Sequence, residues 1–457
     1  MGSYQFPDDF MWGTATAAYQ IEGAAAADGR KPSVWDTFSE TPGRTLNGDT
    51  GAIACDHYHR YKNDVKLMAE LGVKHYRFSI AWSRIIPDGR GAVNEAGVDF
   101  YRRLVDCLLE HGITPHATLF HWDSPQALED LYGSWRSREM AQDFADYATA
   151  VVSRLGDRIT DWMTINEIVC FTHLGYGVGQ VPVHAPGTVV DSLKAVWQTS
   201  HHALLAHGLG CQAIRAASPG PCSVALVDNF VPTVPISESP AHIEAAKRAF
   251  PVNGTNGGIL FPALTGVYSP ALLDQLGSNA PDVRDGDLEI ICQPLDWMGL
   301  NLYFGTYVRA IDQAPGYEVV PFPTSYPRLN MPWLHIMPDC IYWGIRHIRD
   351  TLGRPDLPLR ITENGCATED QLTASKEVLD CDRILYLREH FRSAHRAIIE
   401  GYPLHGYFIW SLMDNFEWAW GNDRRFGLVY TDYVTQTRIP KASFHWYAEC
   451  IRQNRAV

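Results

Sequence analysis

Short runs rich in β-branched and aromatic residues alternate along the whole chain with longer stretches whose apolar positions recur at helical spacing. This is the patterning of strand–helix units wound around a parallel sheet. Strands are predicted over 10–17, 75–80, 114–120, 161–166, 223–228, 297–301, 359–363 and 405–411. Helices are predicted over 57–71, 95–111, 137–155, 192–217, 241–250, 338–352, 376–400 and, after the last strand, 441–453. Eight such units without interruption predict an α/β fold of the closed (β/α)8 TIM-barrel type rather than an open sheet. No Gly/Ser or Pro linker, charge block or repeat divides the chain, so 1–457 reads as a single barrel domain. Two long irregular stretches, 29–56 and 310–334, are rich in Pro, Gly and Thr and belong among long βα loops. Barrels keep their active sites on the face where those loops gather.

Composition narrows the function. With 46% hydrophobic and 20% charged residues, the chain has material for a large core and no signature of disorder. A net charge of -14 disfavours nucleic acid or an anionic membrane as partner, because phosphate surfaces are bound by clustered Lys and Arg. The 14 Trp and 21 Tyr suit the apolar faces of sugars, although large α/β cores consume aromatics too. The 10 Cys show no C-x-x-C pair and read as reduced, mostly buried thiols. Residues 1–10 carry neither a basic nor an apolar leader segment, and no run of about 18 apolar residues occurs, so the expected location is the cytoplasm.

Two carboxylates close predicted strands in polar, turn-like contexts. Glu167 ends Thr164-Ile165-Asn166-Glu167 on the fourth strand, and Glu363 sits in Ile361-Thr362-Glu363-Asn364-Gly365 on the seventh. Either segment alone is an ordinary strand-end turn with a capping or solvated Glu. Together, both follow a Thr, both adjoin an Asn, and both point at one barrel face. Cleaving a glycosidic bond needs one carboxylate at the anomeric carbon and a second, protonated carboxyl at the leaving oxygen. A cation such as Arg77, ending the second strand, would keep Glu363 ionised, and that charge would in turn raise Glu167. The plainer reading of Arg77 is a surface-strand cation.

The chain resembles glycoside hydrolase family 1, the β-glucosidase family, over nearly its whole length. The run from Phe10 to Gly23 resembles the family's N-terminal signature, Thr164 to Glu167 its acid/base motif and Ile361 to Gly365 its nucleophile motif. Thr118 to Asp123 and Phe416-Glu417-Trp418 resemble two sugar-binding segments. The resemblance implies a retaining, exo-acting β-glucosidase acting on β-glycosides and oligosaccharides, with β-galactosyl and β-fucosyl groups as further candidates. Glu363 would be the nucleophile and Glu167 the general acid/base, with carboxyls roughly 5–5.5 Å apart. Gln20, His121, Asn166 and Glu417 would hydrogen-bond the sugar, Asn166 at its 2-hydroxyl, with Trp122 and Trp418 beside them. Trp410 would lie under the ring, Trp333 on the aglycone side, and Asn301 and Tyr303 beside the nucleophile. The chain departs from the family at Asn422, where Tyr is usual, and slightly at Asn301-Leu302-Tyr303-Phe304.

No cofactor is implied, since two carboxylates and water suffice. Cys55-Asp56-His57-Tyr58-His59 mixes metal-ligand types, but Asp56 reads better as a helix N-cap, with His57 and His59 on different sides of the first turn, so no metal is expected. His201-His202 reads as a packed or solvated pair, and 253–258 as a flexible Gly-rich connection. Within the fold the rival is a 6-phospho-β-glycosidase, against which Glu417 argues by repelling phosphate. Outside it, the rival is a catalytically inactive sugar-binding protein. A homo-oligomer is compatible with the sequence.

Overall fold

The computed structural model describes residues 4–457. Eight parallel strands close a barrel: β1 (Met11–Ala15), β2 (His75–Ser79), β3 (Thr114–Phe120), β4 (Asp161–Asn166), β5 (Ser223–Asp228), β6 (Trp297–Asn301), β7 (Leu359–Asn364) and β8 (Leu404–Trp410). Each pairs with its neighbours in sequence, and β1 closes the ring against β8 with Gly13 opposite Phe408 and Ala15 opposite Trp410. At that seam the Ser411 hydroxyl donates to the Ala15 carbonyl at 3.1 Å. The TIM-barrel expectation therefore holds, as do all eight predicted strands to within a residue or two at each end.

The principal outer helices are α1 (His57–Leu71), α2 (Glu95–Glu110), α3 (Glu139–Leu155), α4 (Leu193–Ala217), α5 (Pro240–Ala249), α6 (Asp339–Asp350), α7 (Cys381–Ile399) and α8 (Ala442–Gln453). Local chemistry sets several of their starts. Ser192 caps α4 by accepting from Ala195 N–H at 3.2 Å, and Ser239, followed by Pro240, caps α5 through His242 N–H at 3.3 Å.

Five expectations need correction. Residues 376–380 lie outside α7: Lys376 takes a left-handed φ of 62°, and a turn on Thr373 holds Lys376 and Glu377. Asp56 stands at the N-cap of α1 but caps no backbone N–H, because its carboxylate accepts from His59 Nδ1 at 2.6 Å and Arg60 Nε at 2.9 Å. The stretch 29–56 contains a helix, Val34–Glu40, started by a reciprocal Ser33–Asp36 capping box. In the loop after β6, Tyr317–Val320 pairs with Thr306–Ala310, which in turn pairs with Thr233–Pro235. The Gly-rich 253–258 segment is likewise ordered, running into a buried π-turn, Asn256–Leu260, where the Asn256 amide is bonded to Val231 and Phe250.

The two barrel ends differ. At the N-terminal end, Asp161 binds His116 at 2.9 Å and Arg360, whose guanidinium lies 3.9 Å over the Trp297 ring. These paired groups, with His75 beside His116, fill that end. The opening is at the other end, where β4 and β7 finish.

Candidate active site

Both catalytic candidates follow an irregularity in their strand. Between Met163 and Asn166 β4 carries one residue more than β5 opposite, and between Ile361 and Glu363 β7 carries one more than β6. A β-bulge of this kind redirects the side chains beyond it. Glu167 is then left-handed at φ 48°, as are Trp122 at 75° and Trp418 at 49°. Each such residue costs about 1–2 kcal/mol, and all three fall at one pocket. Gly365 is needed because a Cβ there would stand 1.7 Å from the Trp410 carbonyl oxygen, so the end of β7 passes hard against the end of β8.

The pocket is a cavity of about 330 Å³ whose walls include Glu167, Glu363, Glu417, His121, Asn301, Tyr303, and the rings of Trp122, Trp333, Trp410 and Trp418. Ten of the residues singled out from the sequence thus meet in one place. Gln20, Asn166 and Arg77 lie immediately behind the wall. Arg77 is 1% exposed, so it is no surface cation.

Glu363 accepts from Arg77 at 2.5 Å on one oxygen and from the Tyr303 hydroxyl at 2.7 Å on the other. Glu167 accepts on Oε1 from Asn301 Nδ2 at 2.6 Å, and its Oε2 lies 3.2 Å from Cys170 Sγ. Burial lifts Glu167 well above the ordinary carboxylate range, and the nearby Glu363 charge lifts it further, against the pull of Asn301 and Cys170. Burial raises Glu363 as well, and here the structure corrects the expectation from Arg77. The guanidinium, with Tyr303 and Asn301, only offsets desolvation. The pair therefore carries its first negative charge on the Glu363 side, where the cation is, while Glu167 keeps its proton.

On the opposite wall, Gln20 Nε2 donates to Phe416 O at 2.9 Å, Asn415 Oδ1 at 3.1 Å and Glu417 Oε2 at 3.4 Å, while Gln20 Oε1 is buried without a partner among the described residues. His121 is held neutral by burial, receives Asn166 Nδ2 at 3.3 Å on Nε2, and leaves Nδ1 unpartnered. Trp122 Nε1 donates to the Asn166 carbonyl at 2.9 Å, and the His121 ring stacks on Trp410 and Trp418 at 5.8 and 5.9 Å. Unpaired buried acceptors and donors facing flat rings form a surface suited to a polyhydroxylated ring. Burial pushes Glu417 up to about 8, so at neutral pH it is a carboxylic acid able to donate as well as accept. Its standing charge is thus not what disfavours a phosphate. No Lys or Arg lines the pocket among the described residues, so a phosphate would find no cation there.

The sequence model of Glycosyl hydrolase family 1 matches residues 3–456. The chain belongs to that family. It is similar to Beta-glucosidase A of Thermotoga maritima, at 41% identity over 99% of both chains. It is similar also to the bifunctional beta-D-glucosidase/beta-D-fucosidase of Bifidobacterium breve, at 45% identity over 99% of both. The solved structure of the Thermotoga maritima β-glucosidase in complex with glucoimidazole superposes with a TM-score of 0.89, at 41% identity and 99% coverage of each chain.

As a family 1 glycosyl hydrolase the chain has features at the site that sequence reasoning passed over. Cys170, Asn229 and His184 line the pocket, as do Val169 and Leu174 beyond Glu167. His184 lies further along the connection after β4, and Asn229 directly follows β5, a strand-end position that could have drawn notice. Asn422 does not face the pocket: its N–H donates to Asp49 Oδ2 at 2.9 Å, tying the loop after β8 to the 29–56 stretch. Trp333 packs edge-on against Tyr303 at 5.8 Å. His57 is bonded to Asp64, and His201 to Tyr268 and Asp287. No cluster of metal-ligating side chains occurs among the described residues, and no helix among them is long and apolar enough to cross a membrane.

Proposed function

We propose that this chain is a retaining, exo-acting β-glucosidase that hydrolyses terminal non-reducing β-D-glucosyl residues, accepting related β-glycosides as substrates. The observation that carries the reading is the pair of carboxyls at the ends of β4 and β7, which line one pocket but stand in unequal surroundings. Glu363 attacks the anomeric carbon as the C–O bond breaks, and Glu167 delivers its proton to the departing oxygen. The glycosyl ester removes the Glu363 charge, so Glu167 can then act as base toward water, whose oxygen displaces Glu363. Arg77 and Tyr303 aim the nucleophile. Trp410 underlies the sugar, with Gln20, His121 and Glu417 at its hydroxyls and Trp122 and Trp418 alongside. Asn166 serves the 2-hydroxyl and Trp333 the aglycone. The activities named for the two relatives above support glucose as the main glycone and fucose as a second. In this reading residues 1–457 act as one catalytic barrel unit, and the ten unpaired thiols support a cytoplasmic setting.

The test is a panel of aryl β-glucoside, β-galactoside, β-fucoside and 6-phospho-β-glucoside at neutral pH, with product anomer followed by NMR. Turnover of unphosphorylated sugars with retained configuration is expected. Turnover of the phosphorylated sugar alone would overturn the substrate assignment, and no turnover on any would leave a sugar-binding protein.

A further inference from the structure

The two oxygens of the Glu167 carboxyl have partners of different kinds, and the network behind them fixes which oxygen can carry a proton. Arg77 has donors only, and its Nη2 lies 2.6 Å from Asn166 Oδ1, so Oδ1 is an acceptor. Asn301 reaches the same Oδ1 at 3.0 Å and must do so through its NH2. Thr362 agrees with this orientation by donating its hydroxyl to Asn301 Oδ1 at 2.7 Å. That same NH2 stands 2.6 Å from Glu167 Oε1, which is therefore an acceptor whether or not the carboxyl is protonated. The acid's proton is left with Oε2.

Oε2 faces Cys170 Sγ at 3.2 Å. Cys170 sits in the short helix Ile168–Thr172 just beyond β4, lines the pocket, and is 7% exposed, with Asn229 Nδ2 3.1 Å from its sulfur. A thiol can both give and take a hydrogen bond, which Asn, Arg and a carboxylate cannot do through a single atom. Burial, reinforced by the Glu167 charge, keeps this sulfur protonated across the neutral range.

We propose that Cys170 is a positioning residue for Glu167: its sulfur accepts the Oε2 proton of the acid form and its S–H donates to Oε2 of the ionised form. The carboxyl then keeps one orientation through both halves of the reaction, while Asn229 steadies the sulfur. The proton held at Oε2 passes to the leaving oxygen when a glycoside arrives; no bond to sulfur is made or broken. The proposal rests on Glu167 being the acid/base.

Kinetics of Cys170→Ala and Cys170→Ser, beside Glu167→Ala as reference, test it on cellobiose and on a dinitrophenyl β-glucoside. With the dinitrophenyl substrate, Cys170→Ala lowers kcat and KM together by about 3- to 10-fold and leaves kcat/KM unchanged, because only the step with Glu167 as base is slowed. With cellobiose its kcat/KM falls by a similar factor. The alkaline limb of the kcat/KM profile moves up in pH, since a donor to the ionised form has been lost. Cys170→Ser restores most of each change. A general packing defect would instead lower kcat at constant KM and leave the alkaline limb in place. That result, or wild-type behaviour of Cys170→Ala, or equal losses in the Ser and Ala variants, overturns the proposal. Should Glu167→Ala lose both substrates equally, the acid/base reading itself falls, a failure visible without the Cys170 variants.

Discussion

Glu167 and Glu363 are one residue type on one barrel face, and only their neighbours give them different work. Arg77 and Tyr303 grip Glu363 at both oxygens, whereas Glu167 has no cation in contact among the described residues and stays protonated. Glu363→Ala is expected to abolish turnover, with added azide restoring it and giving product of inverted anomeric configuration, because the small anion fills the space of the lost carboxylate. Glu167→Ala is expected to slow cellobiose by on the order of 10²–10⁴-fold while an activated aryl glycoside, which needs no proton, loses far less in its first step. Rates on the two substrates decide it, and equal losses would remove the acid role. The two glutamates were legible in the sequence because each closes a strand beside an Asn. Cys170 was not, because its significance is a contact at Oε2, and a Cys three residues after a Glu is otherwise an ordinary buried thiol. How far burial works against Arg77 at Glu363 was not legible either, since desolvation cannot be read from a linear string.

At the scale of elements, the loops after β7 and β8 are locked together by buried charge. Lys441, at the start of α8, is fully buried and bonds Asp370 from the first loop and, at 2.6 Å, Asp414 from the second. Arg383 of α7 binds Asp370 at 2.9 Å, and Arg425 binds Asp414 at 2.7 Å. Removing Lys441 takes one of two cations from each buried carboxylate and leaves oxygens under-bonded, so Lys441→Met is expected to cost about 1.5–3 kcal/mol. Chemical denaturation would measure it, and a KM rise should accompany it because Glu417 and Trp418 ride on the second loop. An unchanged midpoint would mean that the lysine is dispensable. The strands were legible almost to the residue as short β-branched and aromatic runs buried on both faces, and the helices by their 3.6 period, since one face of each packs on the barrel. The 310–334 and 376–380 segments were not. Their order comes from partners far away in sequence, such as Thr233–Pro235 for the small sheet, and from a left-handed Lys376 that no propensity demands.

Across the whole molecule, stability depends on pH through buried groups away from the reacting atoms. Asp123 is fully buried, its oxygens have no hydrogen-bond partner among the described residues, and burial pushes it up to about 7. A carboxyl raised on folding binds its proton more tightly in the folded state, so stability falls as pH rises from the unfolded value through about 7 and is level above it. Asp123→Asn stays neutral and is expected to gain on the wild type between pH 5 and 8 by on the order of 2–3 kcal/mol. Denaturation midpoints of the two proteins at both pH values check this; a constant difference would show that Asp123 is ionised in the fold throughout. The seam between β1 and β8 bears on how the protein comes into being. Its partners, such as Ser411 and Ala15, are 396 positions apart, so the first strand made can pair early with β2 but must wait for the last strand before its other edge is covered. Glu363, Glu417 and Trp418 also emerge late during synthesis. A nascent chain thus has neither a shut barrel nor a complete site until translation is nearly over, and the appearance of catalysis coincides with the end of folding.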